Sequence, residues 1–126
     1  MAHFAEINED NIVQRVIVIA DEDTADEEGN EVEAIGAQFC ADLFGGTWVQ
    51  TSYNSNFRFH FAGEGMKYDS ELDAFYRPSH FPSWTLDEET ACWKAPVDYP
   101  VPESEDDTRH YYWDEENQQW VDKAVV

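Results

Sequence analysis

The side chains that could carry out bond-making chemistry are the first test of what this chain does. His3, His60, His80 and His110 are scattered, with neither a His-Glu-x-x-His helix nor a pair of closely spaced cysteines to hold a metal, and no Gly-x-Ser-x-Gly turn presents a nucleophile. Cys40 and Cys92 lie far apart in unlike surroundings, which predicts two buried thiols rather than a disulfide framework or a zinc site. Asp21, Asp23 and Asp26 resemble the start of a calcium loop. Such a loop needs glycine at its sixth position and glutamate at its twelfth, and here Asp26 and Val32 stand there. Gly63-Glu64-Gly65 is too poor in glycine to cradle a phosphate, and Glu64 would repel one, so a turn or bulge is expected. The many carboxylates could supply a glycosidase pair, but nothing in a sequence sets their separation. The residues therefore assign no catalytic group, no cofactor and no metal ligand, and predict a non-enzymatic protein.

The elements that would have to position any site are better marked. Apolar, β-branched residues run from Ala2 to Ile7 and from Ile12 to Ala20, with Asn8-Glu9-Asp10-Asn11 between them, the pattern of an N-terminal hairpin. Its second arm is apolar on both faces toward its end, as for a strand covered on both sides. An acidic, solvated loop follows from Asp21 to Glu31. Val32, Ile35, Phe39 and Leu43 recur at steps of three and four, which predicts a helix with that face turned to the core, stopped by Gly45-Gly46. Strands are then expected at Thr47 to Tyr53 and at Phe57-Arg58-Phe59-His60-Phe61, where alternation would put three phenylalanines on one face and Arg58 and His60 on the other.

A small motif occurs three times in the C-terminal half. Tyr68-Asp69-Ser70-Glu71 leads to Phe75, Leu86-Asp87-Glu88-Glu89 to Trp93, and Trp113-Asp114-Glu115-Glu116 to Trp120. An apolar residue, an aspartate able to accept from the following backbone amides, a polar turn and a returning aromatic describe a β-hairpin. Pro78 and Pro82 follow the first copy, and Pro96, Pro100 and Pro102 the second, where they enforce extended links. Glu103 to Asp107 forms a second acidic loop. Aromatic hairpins can be sugar-stacking platforms, but the paired positions of these rings favour a core role. The fold class expected is α+β, mainly β: an N-terminal hairpin and one helix on an antiparallel sheet, then aromatic hairpin repeats. A chain of 126 residues suits a single domain over 1–126, with sub-units 1–66 and 67–126.

Seven basic residues against 28 acidic ones leave a formal charge of −21, which repels phosphate backbones and anionic lipid. Neither nucleic acid nor membrane is an expected partner. The amino terminus has no basic start, and the longest apolar run, Val16 to Ala20, is too short to span lipid, so synthesis in a cytoplasm is expected.

A further set of features is more specific: Met1-Ala2-His3-Phe4-Ala5, Gly45-Gly46-Thr47-Trp48-Val49-Gln50-Thr51-Ser52-Tyr53-Asn54, Phe61-Ala62-Gly63-Glu64-Gly65, Tyr68-Asp69 with Ala74-Phe75, Pro82-Ser83-Trp84-Thr85-Leu86, Trp93-Lys94-Ala95-Pro96-Val97 and Tyr112-Trp113-Asp114-Glu115. In this order, over nearly the whole chain, they resemble a family of small proteins of tailed phages that infect marine cyanobacteria and other ocean bacteria. The chain departs from that pattern in lacking a Gly-rich stretch between Asn54 and Phe57, and in its acidic stretch from Asp21 to Glu31. The resemblance implies a virion-associated structural protein, made in the host cytoplasm, whose partners are other virion proteins such as the major capsid protein or tail proteins, or further copies of itself.

Three functional readings follow. The first is a capsid decoration protein that clamps shell subunits through an aromatic, proline-lined face, for which Phe81, Trp84, Tyr99 and Tyr111 are the candidate interface residues. The second is a tail or tail-fibre module for host adhesion or glycan binding, which would use exposed Trp93 or Trp120 as stacking surfaces. The third is an acidic protein that binds basic host proteins, which would need its carboxylates in a continuous stripe, whereas in the sequence they cluster in loops.

Overall fold

The computed structural model describes residues 1–124. The chain divides into two compact units, the first from Met1 to Pro78 and the second from Ser79 onward. In the first, β1 (Ala2–Ile7) and β2 (Val13–Ile19) form the expected hairpin. Its turn is held by the Asn8 side chain, whose oxygen accepts from Asp10 and Ile12 amides at 2.9 and 3.0 Å, and Asn11 takes the left-handed conformation. Helix α1 (Glu33–Phe44) leads to β3 (Thr47–Thr51), which pairs antiparallel with the other side of β1, so the sheet order is β2-β1-β3.

β1 is thus central, and its alternating side chains feed two cores. Ala2 and Phe4 meet Cys40 of α1, with Ile19 and Trp48, on one face. Ala5 and Ile7 on the other face join Val13, Val49, Ala62, Met66 and Phe75. Phe75 belongs to the hairpin of β4 (Lys67–Asp69) and β5 (Ala74–Tyr76). This corrects the expected sub-unit boundary at 66/67 to 78/79: the first aromatic hairpin packs with the N-terminal sheet, and only the other two belong to the second unit.

The helix is where it was expected, but its buried face is not the expected one. Gly36 and Cys40 are buried, whereas Ile35 is 37% and Leu43 60% exposed. Close approach decides this: a Cβ at Gly36 would lie 2.3 Å from Cζ of Phe4 and 2.6 Å from Cγ2 of Thr24, so only glycine lets the helix seat this face against Phe4 and the 3-10 turn. Gly45 ends the helix at φ 71°, its amide donating to the Ala41 carbonyl. Val18 of β2, which lies opposite His3, is exposed, so β2 is not covered on both faces toward its end as expected.

Two further expectations, the strand at 57–61 and the burial of Cys92, are corrected. Residues 57–61 form no strand: Arg58 and Phe59 have φ of 56° and 65°, and Phe57 and Phe59 are exposed while Phe61 packs edge-on against His3 and Tyr53. The acidic loop after β2 is solvated as expected, with Glu27 to Glu31 exposed, and it is also anchored, because a 3-10 turn at Asp21–Thr24 buries Thr24 completely and Asp26 accepts from the amides of Glu28 and Asn30. Cys40 is buried as expected, but Cys92 is exposed.

The second unit contains the hairpins β6 (Thr85–Asp87) with β7 (Cys92–Lys94) and β8 (Tyr111–Asp114) with β9 (Gln119–Asp122). All three copies of the motif share one geometry. Tyr68 lies opposite Phe75, Leu86 opposite Trp93, and Trp113 opposite Trp120. Each leading aspartate accepts from its own turn: Asp69 from Glu71 and Leu72, Asp87 from Glu89, Asp114 from Asn117. The amide of Leu72 is the main reason that the Asp69 carboxyl is held below the usual range. The residue four after each aspartate, Asp73, Ala91 or Gln118, is left-handed, so the turn and not the side chain at that position sets its backbone. Among the described residues no helix is long and apolar enough to cross a membrane.

Candidate functional site: an aromatic cleft in the second unit

The third hairpin supplies the base of the site. Trp113 and Trp120 face each other across β8 and β9 with ring centroids 5.1 Å apart and planes inclined at 67°, near the edge-to-face arrangement favoured by aromatic quadrupoles. Trp84 lies 5.9 Å from both rings and carries Phe81 at 5.2 Å. Glu115 makes this arrangement specific. Its carboxylate accepts from the Trp113 indole at 2.9 Å, from the Ser83 hydroxyl at 2.6 Å and from the Ser83 amide at 3.2 Å, tying the segment before β6 to the third hairpin. The Ser83 hydroxyl, followed by the Trp113 indole, holds the Glu115 carboxyl below its ordinary range.

The proline-rich link between β7 and β8 closes the other side. The Trp120 indole donates to the Val97 carbonyl at 2.8 Å, and the Tyr111 amide donates to the Tyr99 hydroxyl at 3.1 Å. The Tyr99 ring sits 5.0 Å from Trp120 and 5.6 Å from Tyr111. Between these groups is an open cleft of about 330 Å³, lined by Trp84, Trp93, Lys94, Asp98, Tyr99 and Trp120 among others. Val97 and Tyr99 are about half exposed, and Val101 is 83% exposed. The Trp84 indole N–H is the one buried side-chain polar atom among the described residues without a hydrogen-bond partner.

The structure brings all four candidate interface residues, Phe81, Trp84, Tyr99 and Tyr111, into one aromatic cluster, with Tyr99 exposed and the other three partly buried. Trp120 joins them as the link between Trp84 and Tyr99, and Glu115 as the brace. The motif spacing marked Trp120. No local signal marked Glu115, because its partner Ser83 is distant in sequence.

The first unit holds a different polar centre, at Arg58. Its side chain is only 15% exposed, and its guanidinium forms a two-pronged pair with Glu33 at the start of α1. It also donates to Asp73 at 2.8 Å and to the Gln50 carbonyl at 2.8 Å, and lies over the Tyr68 ring. Burial opposes the Arg58 charge, but Glu33 and Asp73 outweigh it and hold the group protonated beyond its ordinary range. These contacts tie helix, sheet and first hairpin together, which is a structural role.

Tyr68 donates to Asp73 at 2.6 Å, and burial, then this bond, pushes its phenol up to about 12. Asp73→Asn should therefore bring the tyrosinate titration, followed by ultraviolet absorbance, down from about 12 toward the ordinary value of about 10. An unmoved titration would show that burial alone sets it.

The fold and cleft define a mainly β protein that presents a braced aromatic surface. No family model, curated protein or solved structure matches the chain at the significance required.

Proposed function

We propose that this is a non-enzymatic virion structural protein of a tailed phage, a capsid decoration protein whose second unit binds shell subunits through its aromatic face. The observation that supports this reading is the exposed strip of Val97, Tyr99 and Val101 on a proline-stiffened segment, braced from behind by Trp120. Protein interfaces concentrate their energy in such apolar anchors, held so that little side-chain freedom is lost on contact. The acidic charge of −21 keeps copies apart in solution until a shell presents its own surface.

A second reading, a tail module that binds glycans, is favoured by one feature: Trp93, Trp120 and Tyr99 line an open cleft beside Asp98, an arrangement suited to a sugar ring and its hydroxyls. Antibody-gold labelling of intact particles separates the two. Label over the head supports decoration, label on the tail or fibres supports adhesion, and no label on intact particles overturns both. On the decoration reading, Val97→Ser with Val101→Ser should lower head occupancy about tenfold, with the melting curve of the free protein unchanged, since both side chains are exposed and Val97 serves Trp120 only through its backbone carbonyl.

A further inference from the structure

The strongest helical periodicity in the sequence points away from the core. Ile35, Phe39 and Leu43 form a stripe along about two turns of α1, yet Gly36 and Cys40 take the buried face. Phe39 packs partly on the core, while Ile35 and Leu43 are exposed. Beside the stripe runs an open groove of about 540 Å³ between α1 and the 3-10 turn, lined by Glu22, Asp23, Ile35, Gln38, Phe39 and Asp42. Its lining residues carry three carboxylates and no base, and Gln38 donates to Asp42 at 2.8 Å, leaving the rim anionic.

We infer that this groove is a second interaction surface, and that its occupant is a cationic amphipathic segment of a partner protein, with apolar side chains on the Ile35–Phe39–Leu43 stripe and Lys or Arg at the rim. An apolar floor with acids along its edges complements such a segment in both respects. A second copy of this chain fits poorly, because its own groove would set carboxylates against Glu22, Asp23 and Asp42 on a molecule of charge −21. The inference concerns the first unit and does not depend on what the aromatic cleft of the second unit binds.

The test uses the full chain and two labelled peptides of about 18 residues, one with leucine and lysine at helical spacing, the other with glutamate in place of lysine, followed by fluorescence anisotropy. The lysine peptide should bind and the glutamate peptide should not. Ile35→Ser with Leu43→Ser should weaken lysine-peptide binding about tenfold or more, since apolar anchors supply most of such an interface. Both positions are exposed, so the double variant should melt with the native protein, which circular dichroism checks. Equal binding by native and double variant would mean attraction to net charge alone and would overturn the proposal. No binding of the lysine peptide would also overturn it. So would a native dimer in sedimentation that the double variant abolishes, because the occupant would then be a second copy.

Discussion

Phe75→Ala should destabilise the first unit by about 3–5 kcal/mol, the range for removing a fully buried phenylalanine and leaving a cavity. Phe75 has no exposed surface, and it is the residue through which the first aromatic hairpin enters the core of Ala5, Ile7, Val13, Val49 and Met66. Its amide also donates to the Arg58 carbonyl at 3.1 Å, so a shift of β5 disturbs the segment before it. Small domains are stable by only about 5–15 kcal/mol, so the loss would remove about a fifth of the margin or more. Thermal unfolding followed by circular dichroism should show a midpoint lower by at least 10 °C or so, at about 4–8 °C for each kcal/mol. A fall of only a degree or two would mean that the hairpin is docked loosely and that the boundary between units is misplaced. The equivalent change in the third hairpin, Trp120→Ala, should instead open the cleft of the second unit.

Arg58→Ala should cost about 2–4 kcal/mol. Breaking a buried ion pair costs about 3–5 kcal/mol, and the partial exposure of Glu33 and Asp73 lowers the figure because water can reach the carboxylates left behind. Arg58→Lys should recover less than half of the loss. A lysine cannot reproduce the fork that engages Glu33 with two nitrogens while also reaching Asp73 and the Gln50 carbonyl. If the lysine variant were as stable as the native protein, the geometry of the fork would not matter.

The same centre sets a pH dependence. The Tyr68 hydroxyl first, and the Arg58 guanidinium after it, hold the Asp73 carboxyl below its ordinary range. A carboxyl depressed on folding stabilises the fold above its unfolded value of about 3.9, and that contribution is lost as pH falls through the folded value. The gap in stability between native protein and Arg58→Ala should therefore begin to narrow below about pH 4 and go on narrowing as pH falls through the lower folded value, where Asp73 gives up the charge that meets Arg58. At the alkaline end the sign reverses. Tyr68 is raised on folding to about 12, so its contribution is complete below about pH 10 and disappears as pH rises through 12.

Features encoded within a few residues of one another were legible before the fold was known. The three hairpins could be read because each aspartate accepts from amides two or three positions on, and the following aromatic must return six positions later to meet its partner. The N-terminal hairpin and the span of α1 were legible for the same local reasons: a turn that Asn8 can hold, and glycine past the helix end. The candidate interface residues were chosen for residue type and proline context, and the tertiary structure supplies what makes them one site, the distant links of Ser83 to Glu115 and of Val97 to Trp120. Which face of α1 is buried was decided by the distance of closest approach to Phe4, which favours Gly36 and Cys40 over the larger residues of the periodic stripe. Alternation alone makes Phe57 to Phe61 a strand. The pairing of Arg58 with Glu33, 25 positions away, and with Asp73 holds it as a bend, because a buried guanidinium must find its carboxylates wherever the fold puts them.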